Sequence, residues 1–167
     1  MSTPEHKKGS PDKVSVGVIS VSTTRTIKTD VSGEWIAKRA VKEGHDVILH
    51  KVVPDDREKI RESLFHAIHE LKLQAVLFTG GTGISEKDVT IEAVKPFFTK
   101  ELTAFGIMFA QLSFEEIDSA AILSRATAGI VEKSVVFCMP GSLKACKLAC
   151  KAIIFPELGH IIKHIYE

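Results

Sequence analysis

The chain has 167 residues, 44% apolar and 26% charged, with a formal net charge of +1. That suffices for one domain with a full core and is ordinary for a globular protein. The near-neutral balance gives no field to recruit nucleic acid or an anionic membrane, and no window reaches the roughly 18 uninterrupted apolar residues of a membrane span.

Residues 1–13 are polar, punctuated by Pro4, Gly9, Ser10 and Pro11, without the apolar segment of a signal peptide. They are expected to form a flexible tail before a single domain over 14–167, in the cytoplasm. Val14, Val16 and Val18 alternate, and Ile19 and Val21 continue the run, which predicts a strand. Polar residues 22–28 follow as a loop at its C-terminal end. Asp30 or Ser32 can cap the next helix, with Ile36, Ala37, Ala40 and Val41 as its apolar face and Gly44 as its stop. Residues 46–53 read as a second strand. Pro54-Asp55-Asp56 opens a second helix, with Asp55 and Glu58 at capping-box spacing and a stripe through Ile60, Leu64, Ala67, Ile68 and Leu71.

Residues 75–78 form a third strand that runs into Gly80-Gly81-Thr82-Gly83. Thr90 is placed to cap a third helix, with Glu92 in its first turn and Pro96 stopping or kinking it. Phe105, Phe109 and Leu112 recur at helical spacing. Residues 126–131 and 135–139 flank Glu132-Lys133 as an antiparallel hairpin. Ser142 can cap a last helix through Leu148, Ala152 and Ile153, which Pro156 and Gly159 interrupt. The order predicts a three-layer α/β sandwich on a mostly parallel, mixed sheet. In such sheets ligands collect beyond the C-terminal strand ends, where the loops 22–28, 54–56, 80–88 and 140–142 converge.

The chemistry centres on the glycine turn. A turn that leaves a buried strand with three glycines in four positions bares backbone N–H groups, which suit an anion such as phosphate. It lacks the Gly-Lys-Ser/Thr of a Walker loop and the third-glycine spacing of a dinucleotide fingerprint. Asp88 follows; by itself it reads equally as a solvated loop carboxylate or a helix cap, and Asp55 as an N-cap. Two carboxylates beside a phosphate site fit Mg²⁺, which takes one or two of them plus phosphate oxygens and water. The second and third strands are expected to end side by side, so that both face one cation. The Arg125 guanidinium suits a phosphate or an ion pair with Glu115, Glu116 or Asp118. Ser142 is a helix cap or a second anion nest. Cys138, Cys146 and Cys150 read as small buried core residues rather than a disulfide, metal or nucleophile set. Transfer of a phosphoryl or nucleotidyl group by positioning and charge neutralisation fits better than covalent catalysis.

Gly80-Gly81-Thr82-Gly83, Lys87-Asp88-Val89-Thr90 and Glu92-Ala93 resemble the signature of the molybdopterin-binding MoaB–MogA family. Residues 112–117 and 139–146 are most similar to its MoaB-like branch. The resemblance implies a molybdopterin adenylyltransferase of molybdenum cofactor biosynthesis, which transfers AMP from Mg-ATP to molybdopterin and releases pyrophosphate. The other reading is a non-catalytic molybdopterin-binding carrier or scaffold. The resemblance makes Asp55 and Asp88 the catalytic and Mg²⁺-binding pair. It puts the nucleotide at Ser22, Asp30, Ser32, Gly33, Gly80, Gly81, Thr82 and Gly83, and molybdopterin at Ser124, Arg125, Pro140, Gly141 and Ser142. It further implies a homotrimer or hexamer and a downstream molybdenum-insertion enzyme as partner. The chain departs from the pattern at Ile91 (proline), Lys87 (arginine) and Thr23 (aspartate).

Overall fold

The computed structural model describes residues 7–167. Six strands form one sheet: β1 (Ser15–Val21), β2 (Asp46–Val53), β3 (Ala75–Thr79), β4 (Lys100–Glu101), β5 (Thr127–Val131) and β6 (Ser134–Met139), in the order β2-β1-β3-β6-β5-β4. β1, β2, β3 and β6 run parallel, and β5 runs antiparallel to β6 and β4. This is the expected mixed sheet and hairpin, with a two-residue edge strand that carries no apolar pattern to announce it.

The central strands are buried on both faces, so their side chains sort by parity. Leu77, Phe137 and Met139 enter one core, with Ile36 of α1 (Val31–Lys42), Phe105 and Phe109 of α4 (Thr103–Ile117), Cys146 of α5 (Leu143–Ala149) and Leu158 of α6 (Phe155–Tyr166). Phe78, Val136 and Cys138 enter the other, with Ile60 and Leu64 of α2 (Arg57–Phe65) and Val94 of α3 (Thr90–Val94). All three cysteines are buried and unpaired. Burial pushes the Cys138, Cys146 and Cys150 thiols up, which removes them as nucleophiles.

The second and third strands do not end side by side: β1 lies between them. α1 and α2 cover opposite faces, and right-handed crossovers on opposite faces travel in opposite directions from β1. The order therefore reverses at β1 and β3, where a crevice opens at their C-terminal ends.

Local chemistry also differs from expectation at three points. Asp56 caps α2, accepting from the Lys59 N–H at 2.9 Å, which frees Asp55. Thr90 is the first residue of α3 rather than its cap, and its hydroxyl donates to Gly80 O at 2.8 Å. Pro156 and Gly159 do not end the last helix. A π-helical turn, Cys150–Ile154, precedes α6, and Pro156 sits in the first turn of α6, where no donor is missed. Residues 1–6 of the expected tail lie outside the described residues. Residues 7 and 8 hold to α6: Lys7 Nζ donates to Pro156 O at 2.6 Å, and Lys163 Nζ donates to Lys8 O at 2.9 Å.

Candidate active site

The glycine turn follows β3 and crosses the end of β1. Gly80 and Gly81 have φ of +95° and +64°, the left-handed region that side chains resist. A Cβ on Gly80 would also overlap the Val21 carbonyl. The turn's carbonyls are taken from outside: Gly80 O by the Thr90 hydroxyl, Gly81 O by the Thr90 N–H (2.9 Å), and Thr82 O by Arg125 Nε (2.9 Å). The Gly81 and Thr82 N–H groups have no hydrogen-bonded acceptor among the described residues. The turn thus spends its acceptors on the fold and keeps donors, the polarity an anion needs.

Both aspartates reach this turn. The position of a Cβ on Gly81 lies 3.4 Å from Asp55 Oδ1, and that of one on Gly83 lies 2.7 Å from Asp88 Oδ2. The two glycines are two residues apart, at most about 7 Å between Cα atoms. Asp55 Oδ2 accepts from the Thr23 N–H and hydroxyl, both at 2.8 Å. Asp88 Oδ2 accepts from the Ser85 hydroxyl at 2.7 Å and the Ser85 N–H at 2.9 Å. The Ser85 hydroxyl, backbone N–H groups and the Arg125 charge hold the Asp88 carboxyl below its usual range, against partial burial. Neither carboxylate has a cationic side chain at ion-pair distance among the described residues. Nor do the described residues contain a cluster of three or more His, Cys, Asp or Glu arranged for a metal. A cation satisfied by two carboxylates plus phosphate oxygens fits this donor set.

The turn forms one wall of a cleft of about 330 Å³, lined also by Ser22, Arg25, Asp88, Ser124, Pro140 and Gly141. A second hollow of about 480 Å³ runs past Thr23, His50 and Pro54 and shares Ser22 and Arg25 with the first. The two hollows therefore adjoin at Ser22 and Arg25.

The remaining expected site residues divide. Ser22, Gly80, Gly81, Thr82, Gly83, Ser124, Pro140 and Gly141 all line the main cleft. Asp30 is buried behind it: its side chain accepts from Ser20 Oγ (2.6 Å), the Gly33 N–H (3.0 Å) and His50 Nε2 (3.0 Å). Burial works against its charge, but those hydrogen bonds outweigh it and keep the carboxyl below its usual range. Gly33 packs against this group, and Ser32 Oγ donates to Gly141 O at 2.9 Å. Ser142 caps α5, accepting from the Ala145 N–H at 3.2 Å, and lines a separate small hollow.

Arg125 pairs with none of its expected acidic partners. Its Nη1 donates to Glu92 Oε1 at 2.7 Å. The 3₁₀ stretch Asp118–Leu123 carries the chain away from the acidic end of α4 before Arg125 reaches the turn. That hydrogen bond holds Glu92 below its usual range. Sequence reasoning missed Arg25, whose Nη1 donates to Gly141 O at 3.2 Å at the mouth of the cleft. An arginine in a polar loop at a strand's C-terminal end was the available signal. Thr23, noted only as a departure, is what orients Asp55.

A family model described as "Probable molybdopterin binding domain" matches residues 17–160. The chain belongs to this molybdopterin-binding family. It is 45% identical to "Molybdenum cofactor biosynthesis protein B" of Bacillus subtilis, over 99% of this chain and 98% of that one. It is 43% identical to "Molybdopterin adenylyltransferase" of Pyrococcus furiosus over the full length of both. Among solved structures, the tungsten cofactor synthesizing protein MoaB from Pyrococcus furiosus superposes with a TM-score of 0.87 at 42% identity, covering 94% of this chain and 99% of that one. The three-layer sandwich of this family member is accordingly that of its solved relatives. The family match spans the glycine turn, both aspartates and the loops that frame the cleft.

Proposed function

We propose that this chain is a molybdopterin adenylyltransferase of molybdenum cofactor biosynthesis. A phosphate oxygen of molybdopterin attacks the α-phosphorus of ATP, the bond to the β-phosphate oxygen breaks, and pyrophosphate leaves. The nucleophile is a phosphate monoester, whose second ionisation lies near pH 6, so it is already largely deprotonated at neutral pH. The reaction needs no general base. What it needs is alignment of two polyanions and neutralisation of their charge.

The observation that carries this reading is the turn whose Gly81 and Thr82 donors are free, flanked by two carboxylates with no cationic side chain at ion-pair distance among the described residues. In this proposal the Gly81 and Thr82 N–H groups take phosphate oxygens, and Asp55 and Asp88 hold Mg²⁺, which neutralises the ATP phosphates. Arg25 faces charge at the junction of the two hollows. Ser124, Pro140 and Gly141 form the pterin side of the cleft. Asp30, Ser32, Gly33, Ser142 and Arg125 act behind that surface, by fixing the loops.

We further place the protein in the cytoplasm as a homotrimer or hexamer that hands its product to a molybdenum-insertion enzyme. The exposed Ile107, Phe114, Ile117 and Ile122 along α4 and the following turn support self-association. A monomer in light scattering would contradict it. The activity is tested by supplying purified protein with molybdopterin, ATP and Mg²⁺ and following pyrophosphate. Release is expected; bound molybdopterin without release would establish a carrier instead.

A further inference from the structure

A second constellation lies far from the cleft, on α6. His160 and His164 are four residues apart, one helical turn, and their Nε2 atoms face each other at 3.0 Å. The His160 ring is oriented through its other nitrogen, and the His164 ring has a carboxylate beside its own. His160 Nδ1 contacts Glu157 Oε2 at 3.1 Å, and His164 Nδ1 contacts Glu167 Oε2 at 2.9 Å. Glu157 is itself anchored by Lys7 Nζ at 2.8 Å. Both histidines border a hollow of about 460 Å³ that also reaches Glu132, the turn between β5 and β6 at the opposite end of the parallel strands from the glycine turn.

The proton inventory of the group decides its chemistry. A carboxylate only accepts, so His160 Nδ1 carries the proton that it donates to Glu157, and His160 Nε2 is left as a lone pair. With His164 in the same tautomer, both Nε2 lone pairs point at one another. A metal ion between them would engage both lone pairs. Nitrogen ligands at about 2.0–2.1 Å from a metal subtend separations close to the 3.0 Å observed. A carboxylate on the far nitrogen of a ligating histidine is the arrangement that fixes its tautomer and raises its basicity.

We propose that His160 and His164 form a bidentate site for a borderline divalent transition metal, with Cu²⁺ bound most tightly and water or a small ligand in the remaining positions. Imidazole pairs favour such ions over Mg²⁺ and Ca²⁺, and the affinity order follows the first-row series. The site is independent of the adenylyltransferase reading: it shares no residue with the cleft.

The test uses the untagged full-length protein and Cu²⁺ alone, followed by calorimetry and electron paramagnetic resonance. One ion per chain with two nitrogen donors is expected, together with a rise in Tm. His164→Ala changes a largely exposed side chain, so its fold should persist, and it should lose the two-nitrogen signal and the Tm rise. Glu157→Gln should weaken binding by about tenfold through the ring it orients. His66→Ala, remote from the pair, should change nothing. A wild-type protein that gives no two-nitrogen spectrum, or a His164→Ala variant that keeps one, overturns the proposal.

Discussion

Two carboxylate environments lie on the loops that follow adjacent parallel strands, and they behave oppositely. Asp30 is fully enclosed and meets a serine hydroxyl, a helix N–H and a histidine ring. Every part of it is consumed by the fold: it caps α1 and ties that helix to β1 and β2. Asp55 and Asp88 are held as firmly, but by one oxygen each, through neutral donors supplied by neighbouring loop residues. Neither has a cationic side chain at ion-pair distance among the described residues, and both lie beside the N–H groups of the turn. The proposed function turns this difference into one between an aspartate that builds the site and a pair that serves it, and residue type and sequence neighbourhood are blind to it.

The largest effect that tests this contrast comes from Asp88→Asn. It keeps the shape and the Ser85 hydrogen bonds but removes the charge facing the turn. Pyrophosphate release is expected to fall at least about 100-fold with Tm unchanged, since charge placed for a transferring phosphoryl group is worth several kcal/mol. Loss of Tm with activity intact would exchange the roles of Asp88 and Asp30.

Asp30→Ala should invert the pattern. It removes an N-cap, worth about 1 kcal/mol, and strands the Ser20 hydroxyl and the His50 ring, at about 1–3 kcal/mol. A stability loss of about 3 kcal/mol in urea is expected, with activity per folded molecule changed far less. The pH dependence has a definite sign. The Asp30 carboxyl is lowered in the folded state, so its contribution is complete above the ordinary aspartate value. It is lost as the pH falls through the lower folded value. The gap between wild type and Asp30→Asn in urea midpoint should therefore be full at pH 7 and shrink below about pH 4.

Much of this was legible in the sequence because the central strands and helices obey simple periods. The alternation through β1, the stripe of α2 and the Glu132-Lys133 hairpin turn each specify one local structure. What escaped depends on contacts between distant segments. The capping pattern at Asp55 and Asp56 is degenerate by one residue, and only the packing of the loop against Thr23 selects Asp56. Arg125 has acidic neighbours in sequence, but the intervening 3₁₀ stretch delivers it to Glu92. The order of β2 and β3 around β1 follows from which face each helix covers, a property of two cores rather than of any window. The glycine turn was found because its requirement is local: φ and bare N–H groups are properties of the residues themselves.

The smallest expected effect probes the link between the two environments, at Thr23. Thr23→Val removes one of the two hydrogen bonds to Asp55 Oδ2 and keeps the backbone N–H at 2.8 Å. A single hydrogen bond from an uncharged donor to a carboxylate at an exposed site is worth about 1.5 kcal/mol, or roughly tenfold. If Asp55 acts by presenting charge from a fixed position, the loss should appear in kcat, with a raised Mg²⁺ requirement and an unaltered Tm. Thr23→Ser, which restores the donor, should recover most of it. If Asp55 merely closed the loop, as Asp30 closes α1, both variants would lower Tm and leave the Mg²⁺ dependence where it was, because a structural carboxylate has no reason to sense the metal.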